Sequence, residues 1–261
     1  MVKAKLGKKT GTAPTNRRER LIQIGLLALI FLIWEIVGQQ VGPFFLAPPS
    51  AMIKGGAELY TSAQFWRAIS ESLSTFAMGY FLAAFVGIFV GYLMGWSKPV
   101  ALVTNPFLSA FYVIPIASLV PVMIIWFGIG LLPRVIAVFL FAVFEITINV
   151  YTGVKNVDPT LIEVATSFGA KRWQLFKRVV FYDALPYVFA GLRIGSSRAV
   201  KGMIIAELLF AVTGMGGLIM TYSNYYRIDM VFVMVATVSL LGVLFGEIIM
   251  GLERIIAPWK E

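Results

Sequence analysis

The chain has 261 residues, of which 59% are hydrophobic and only 13% are charged, and its formal net charge is +9. Soluble domains usually carry about 25% charged residues, so the composition indicates a membrane protein. Cysteine and histidine are both absent, which excludes disulfide frameworks, thiol nucleophiles, imidazole bases and the common zinc sites. We therefore predict no metal site.

The first 20 residues form a basic tail, which contains seven Lys and Arg residues and a single acid, Glu19. Such a tail can bind nucleic acid, attract anionic lipid headgroups or simply retain the N-terminus in the cytoplasm. The last interpretation is favoured because it needs only the positive-inside bias. We predict no nucleic-acid partner. Residues 21–261 are predicted to form one transmembrane domain.

About six apolar stretches are predicted to be membrane spans, which usually need about 20 predominantly apolar residues. The predicted fold is therefore an all-α, polytopic membrane bundle with about six transmembrane helices. Between the second and third spans, residues 100–113 are predicted to lie at the membrane interface, because Pro115, Pro121 and Pro133 break the long apolar region. The predicted spans are residues 21–40, 72–95, 116–130, 134–154, 186–212 and 230–256.

The distribution of cations predicts that both termini are cytoplasmic. The basic tail, Lys98 and the loop of residues 155–185 then lie on the same side, as the positive-inside rule requires. Outside the membrane, Pro48, Pro49 and Ser50 begin either a short surface helix, with Ser50 as a possible cap, or a loop with a frayed helix.

The loop of residues 155–185 is predicted to contain two short amphipathic helices. Asp158 can cap the first helix, Pro159 suits its first position, and Gly169 can take the left-handed conformation that ends it. The second helix is predicted over residues 170–181. Ala165 and Gly169 lie one turn apart and leave room for another surface, although an ordinary connector at the membrane surface would show the same pattern.

Ionisable residues inside predicted spans are costly and therefore informative. Glu145 in the fourth span and Arg198 in the fifth are both predicted near mid-membrane, with Lys201 one turn further out. They form either a polar lining of a pathway or a structural pair of Glu145 with Arg198 or Lys201, Arg198 being slightly preferred. Glu207 on the fifth span is predicted with them, as a residue of the pathway or of an ion pair. Cations on this span exceed Glu207, its single acid, which favours an anionic substrate.

Three glycines on the fifth span share one stripe, Gly191, Gly195 and Gly202. Small residues at such spacing allow helices to approach closely. We predict that they pack within the bundle or across a dimer axis.

The pattern Glu163, Ala165 and Gly169 resembles the cytoplasmic "EAA" loop of permease subunits in ATP-binding-cassette (ABC) importers. Other stretches resemble the nitrate/sulfonate/taurine/bicarbonate permeases, so that the resemblance covers roughly residues 44–260. The chain departs from the pattern at Val164, where alanine is usual, and at residues 181–182, where a leucine-proline is usual. The stretches that carry the resemblance are residues 48–50, 125–130, 190–195, 198, 206–207, 252–254 and 258–259.

The resemblance implies a type I importer permease in the bacterial inner membrane, acting as a homodimer. Its implied partners are ABC ATP-binding subunits, which carry ATP and Mg, and an extracytoplasmic solute-binding protein. The chain itself would be neither an enzyme nor a holder of cofactors. Coupling to the ATPase would rest on Glu163, Ala165, Gly169 and Pro186.

The implied substrate is a small anionic solute such as nitrate, bicarbonate, taurine or another sulfonate. Two alternatives stay open at this point. One is an importer of a small aromatic or thiamine-precursor molecule, and the other is a membrane receptor or scaffold that docks a cytoplasmic partner without transport.

Overall fold

The computed structural model describes residues 17–210 and 213–258, so most of the predicted basic tail, residues 1–16, lies outside the described residues. Every regular element in the described part of the chain is helical. The α-helices are α1 (Arg17–Val41), α2 (Pro49–Thr61), α3 (Ala63–Trp96), α4 (Lys98–Val113), α5 (Val120–Phe127), α6 (Leu131–Lys155), α7 (Pro159–Ser167), α8 (Arg172–Leu175), α9 (Phe181–Asp183), α10 (Leu185–Phe210), α11 (Gly214–Asn224) and α12 (Ile228–Ile256).

Four of these helices are long and apolar enough to cross a membrane alone, namely α1, α3, α6 and α12. Two bent pairs raise the number to six if each pair is one span: α4 with residues 116–127, bent by 85°, and α10 with α11, bent by 49°. The predicted fold class, an all-α membrane bundle with about six spans, is confirmed.

The predicted division of residues 100–130 is wrong. Residues 116–130 do not form a span by themselves, because they contain a 3-10 turn, Ile116–Leu119, and the eight-residue α5. Together these are about 20 Å long at the usual helical rises, against a hydrocarbon core of about 30 Å. The chain does break at Pro115, as predicted. Pro121 and Pro133 instead lie in the first turns of α5 and α6, where a missing N–H does not interrupt a helix.

The short helix predicted after Pro48 is present as α2, and a side chain of α1 binds the first turn of α2. The carboxylate of Glu35 accepts hydrogen bonds from the Ser50 amide at 3.0 Å and from the Ser50 hydroxyl at 2.6 Å. Ser50 is therefore not the cap that the sequence suggested, because its hydroxyl donates to Glu35 and Pro48 occupies the cap position.

The core of the bundle is a three-helix layer in which α6 lies between α3 and α10. Several glycines on α3 face β-branched side chains of α6. A Cβ added to Gly91 would lie 2.6 Å from the Cβ of Val150, and one added to Gly87 would lie 2.9 Å from the Cβ of Ile146. On the other side of α6, a Cβ at Gly195 would lie 2.7 Å from Cγ1 of the same Ile146. Close contact of this kind holds helices together in a membrane, where burial of apolar surface gives no drive.

We expect Gly91→Ala to lower the free energy of unfolding by about 1–3 kcal/mol, the usual cost of overpacking a close contact. The matched control is Gly251→Ala on α12, where a Cβ would have no neighbour within 4 Å. This control should gain about 0.5–1 kcal/mol, because glycine is a poor residue inside a helix. Thermal unfolding of the two purified variants checks the difference in sign, and shifts in the same direction would contradict the packing argument.

Candidate functional site

The loop between α6 and α10 begins with a capped helix, as the sequence predicts. Oδ1 of Asp158 accepts a hydrogen bond from the Thr160 amide at 2.8 Å, and Pro159 is the first residue of α7. The cap satisfies one of the backbone donors that have no partner within the helix. Asp183 joins the two ends of the loop, since its Oδ2 accepts from the Asp158 amide at 3.3 Å.

The end of α7 is a Schellman turn, which gives the spacing of Ala165 and Gly169 a structural reason. Gly169 has φ of +79°, a conformation that glycine adopts without the penalty of a side chain. Its amide donates to the Thr166 carbonyl at 2.8 Å, and the amide of Ala170 donates to the Ala165 carbonyl at 3.1 Å. These two bonds define the motif, in which Ala165 and Gly169 take fixed positions.

The second helix of the loop is less regular than predicted. It starts at Arg172, two residues later than expected, and a π-helical segment, Phe176–Val180, separates α8 from α9. It packs on the end of α3, where the Tyr92 hydroxyl donates to the Phe181 carbonyl at 3.0 Å and the Phe176 ring lies 5.2 Å from the Trp96 ring. The loop is therefore attached to α3 as well as to α6 and α10.

The outer face of α7 is apolar and unoccupied by other residues of the described chain. Leu161 and Val164 are about half exposed, and Phe168 is 88% exposed. Glu163 is exposed on the same helix, Ala165 is half-buried, and Gly169 would have no neighbour within 4 Å of an added Cβ. We call the surface formed by Leu161, Val164, Phe168 and Gly169 the α7 face.

Pro186, the fourth residue predicted for coupling, is not on the α7 face. It is buried in the first turn of α10, where proline suits the helix start. Residues 181–182, which replace the usual leucine-proline, continue the helix through α9, and only Ala184 separates α9 from α10.

The structure brings Glu145 and Arg198 together in the middle of the bundle. Nη2 of Arg198 lies 3.0 Å from Oε1 of Glu145, with side-chain exposures of 50% and 12%. The Tyr112 hydroxyl donates to the same carboxylate oxygen at 3.4 Å. The pair borders a cavity of about 350 Å³ between α6, α10 and the break after α4. Arg198 is thus paired on one side and open on the other.

Lys201 does not lie beside Glu145. It lines a separate, larger groove of about 720 Å³ between α10 and α12, together with Arg193, Ser197, Ser239 and Glu247. The cations of α10 are therefore divided between two cavities on different faces of the helix.

Glu207 lies away from both cavities and is fully buried. Its carboxylate accepts hydrogen bonds from the Ser72 hydroxyl at 2.8 Å and from the Gly216 amide at 3.0 Å. The Ser72 oxygen in turn accepts from the Met215 amide at 2.8 Å, and Glu71 accepts from the Gly214 amide at 3.1 Å. Glu207, Ser72 and Glu71 therefore hold the beginning of α11. The sequence analysis missed Glu71 and Ser72, although two polar residues at the start of an apolar run are a visible signal.

The three glycines of the predicted stripe on α10 all face α6. An added Cβ would lie 2.9 Å from Cβ of Asn149 at Gly191, and 2.6 Å from Cδ2 of Phe141 at Gly202; at Gly195 it would meet Ile146, as described above. Of the two packing alternatives, the geometry within this chain matches packing inside the bundle.

These features define a multi-pass helical membrane protein with a helical loop and an intramembrane ion pair. The chain belongs to the family described as binding-protein-dependent transport system inner membrane component, which matches residues 83–261. It is thus a permease of the ABC importer class, and the recognition based on the loop motif and the other stretches is confirmed.

Three relatives are similar over most of the chain. The taurine transport system permease protein TauC of Escherichia coli is 29% identical over 93% of this chain and 90% of its own length. The putative aliphatic sulfonates transport permease protein SsuC of Bacillus subtilis is 30% identical, with coverages of 91% and 87%. The formylaminopyrimidine transport permease protein ThiX of Halalkalibacterium halodurans is 31% identical, with coverages of 89% and 93%.

Two ABC transporters are among the solved structures that share the fold. The inward-facing MetNI methionine ABC transporter matches with a TM-score of 0.64 and 19% identity, covering 75% of this chain and 99% of the matched chain. A bacterial alginate ABC transporter, in complex with its alginate pentasaccharide-bound periplasmic protein, matches with a TM-score of 0.62 and 17% identity, covering 92% and 96%.

Proposed function

We propose that this chain forms the membrane pathway of an importer for a small organic or inorganic anion, and that a separate ATPase drives it through the loop between α6 and α10. The observation that carries the coupling role is the α7 face. Its exposed leucine, valine and phenylalanine lie on a loop that also carries four exposed cations, Lys171, Arg172, Lys177 and Arg178. An apolar surface with a polar rim is typical of a protein–protein interface.

The attachment of the loop explains how movement of an ATPase would reach the bundle. The hydrogen bond from Tyr92 to Phe181 connects the loop to α3, and the bond from Asp158 to Asp183 holds its two ends together. A displacement of α7 would therefore move α3, α6 and α10 together. Binding of nucleotide to the ATPase and docking of an external binding protein would then shift the same conformational equilibrium of the bundle, from opposite sides of the membrane.

The proposed assembly is a homodimer of this chain with two ABC ATP-binding subunits and an extracytoplasmic solute-binding protein. ATP and Mg would be held by the ATP-binding subunits. The periplasmic protein in the related alginate complex supports the external partner.

An anionic substrate is favoured by the open side of Arg198. The guanidinium is half exposed beside the cavity of about 350 Å³, and an arginine fork suits the oxygens of a sulfonate or carboxylate. The names of TauC and SsuC point to sulfonates, and taurine is the first compound to test. A formylaminopyrimidine, which the name of ThiX suggests, is the second candidate.

The proposal is tested by isolating the complex and measuring uptake. The permease should purify with an ATPase, and proteoliposomes containing the complex should accumulate radiolabelled taurine or an alkyl sulfonate only with ATP and the binding protein. Purification of a stable permease without any ATPase would favour the receptor alternative. Uptake of a formylaminopyrimidine but of no sulfonate would show that the substrate is a thiamine precursor and not an anion of the proposed class.

We expect both termini and the loop to be cytoplasmic, because the basic tail and the basic loop should lie on the same side. The chain contains no cysteine, so single cysteines can be introduced without background. Cysteines at Lys8 and Lys171 should resist an impermeant thiol reagent in intact cells, whereas one at the exposed Thr61, the last residue of α2, should react. Labelling of Lys8→Cys or Lys171→Cys from outside would show that the predicted orientation is wrong.

A further inference from the structure

An aromatic groove of about 490 Å³ lies between the last turns of α3 and the second helix of the loop. Its lining is almost entirely apolar and includes Phe85, Phe89, Leu93, Trp96, Trp173 and Phe181. Phe85 and Trp173 are about 70% exposed, so the groove opens outward from the described chain. Its volume is within the range of pockets that enclose most of a small ligand.

A cation stands at the end of this groove. The guanidinium carbon of Arg172 lies 5.4 Å from the centroid of the Trp96 ring, which itself lines the groove. Arg172 is exposed, and so are Lys171 and Lys177 on the same segment. The aromatic lining therefore runs from an apolar end on α3 to a positively charged end on the loop.

We propose that this groove binds an anionic phospholipid, with part of an acyl chain among the aromatic side chains and the headgroup phosphate on Arg172. The proposal goes beyond the transport function and requires only that α3 spans the membrane. Tryptophan is enriched where a span meets the headgroups, which places Trp96 and Trp173 at the correct depth. Cations near the membrane surface attract anionic lipids, so the charge of the rim selects an anionic headgroup over a zwitterionic one.

A helix from a second copy of the chain is the other possible occupant of an apolar groove. The rim argues against it, because an apolar helix offers no partner to the guanidinium of Arg172. The lipid satisfies both ends of the groove at once, and the two occupants can be separated by experiment.

The purified complex is titrated with phosphatidylglycerol or with phosphatidylcholine that has the same acyl chains. Native mass spectrometry then measures the preference for the anionic headgroup. We expect phosphatidylglycerol to bind about fivefold more tightly, the factor that one cation near an anionic lipid contributes. Arg172→Gln should reduce the preference to about one. Lys155→Gln is the matched control, because its ammonium also lies over a ring, 5.3 Å from the centroid of Tyr151, but outside the groove, and it should keep the preference.

Brominated acyl chains then locate the lipid through the fluorescence of Trp173, taken as the difference between the unmodified complex and Trp173→Phe. Quenching of this fluorescence by brominated phosphatidylglycerol, reduced in Arg172→Gln, supports the proposal. Equal losses of preference in Arg172→Gln and Lys155→Gln would overturn it, because the effect would then be one of general surface charge. If Trp173 is not quenched while lipid binds, the proposal is also overturned, since the lipid would then bind outside the groove.

Discussion

Gly169→Val is expected to abolish ATP-driven uptake and substrate-stimulated ATP hydrolysis in the assembled complex while the bundle stays folded. Gly169 has φ of +79°, and a left-handed conformation costs a residue with a Cβ roughly 1–2 kcal/mol, with β-branched residues among the least tolerant. The bonds that end α7 depend on this conformation, so α7 should no longer present the same surface. Uptake into proteoliposomes and ATPase assays with the binding protein measure the loss.

The control for Gly169→Val is Gly42→Val, between α1 and α2. Gly42 has φ of +92°, and an added Cβ at either glycine would have no neighbour within 4 Å. The two variants thus carry a similar backbone strain, and only the one in the loop should lose transport. Normal transport by Gly169→Val would show that the loop is merely a connector.

Gly169→Asn separates backbone strain from crowding of the α7 face. Asparagine enters the left-handed region more readily than valine does, so it should keep part of the transport activity if the backbone is the cause. An asparagine variant as inactive as the valine variant would instead show that any side chain at this position blocks the ATPase.

Local signals made the loop predictable from the sequence. Asp158, Pro159 and Gly169 act on their own backbone or on that of residues close by in the chain. Their roles as cap, first residue and terminator therefore do not depend on distant parts of the chain. The π-helical segment, Phe176–Val180, has no such local signal. It lies where Phe176 packs against Tyr92 and Trp96 of α3, and such contacts cannot be read from one segment.

The prolines show the limit of a local rule. Pro115, Pro121 and Pro133 look alike in sequence, but only Pro115 lies at a break, while the other two lie in first turns. A proline marks either an interruption or a beginning, and the choice depends on where the preceding helix ends. The predicted breaks at Pro121 and Pro133 failed for this reason.

The sequence predicted the long-range partners of the intramembrane charges only in part. Depth alone placed Glu145 near Arg198 and one turn from Lys201, but it could not say on which face of α10 each cation lies. The burial of Glu207 against α11 required the fold itself, because Ser72 is 135 residues away along the chain. By contrast, the glycines at 87, 91 and 95 on α3 repeat every fourth residue, and this signal was present but not used.

Glu145→Gln is expected to lower the melting temperature of the purified complex. Removing one partner of a fully buried ion pair costs about 3–5 kcal/mol. The cost here should be smaller, because half of the Arg198 side chain is exposed and the pair is therefore only partly buried. Adding Arg198→Gln should restore much of the lost stability, since no uncompensated charge then remains.

Lys201→Gln provides the matched control, because Lys201 lies on the same helix but lines the groove between α10 and α12. Added to Glu145→Gln, it should restore nothing. Recovery with Lys201→Gln equal to that with Arg198→Gln would mean that net charge, and not the 3.0 Å contact, determines the stability.

Transport by the double variant Glu145→Gln/Arg198→Gln distinguishes a structural pair from a lining of the pathway. Both side chains border the same cavity, and the proposed role of Arg198 is to attract an anion there. A double variant that regains stability should therefore still import taurine poorly. If uptake returned together with the melting temperature, the pair would serve the packing of α6 against α10 alone. The anion would then have to meet other cations of α10, of which Arg193 and Lys201 line the larger groove.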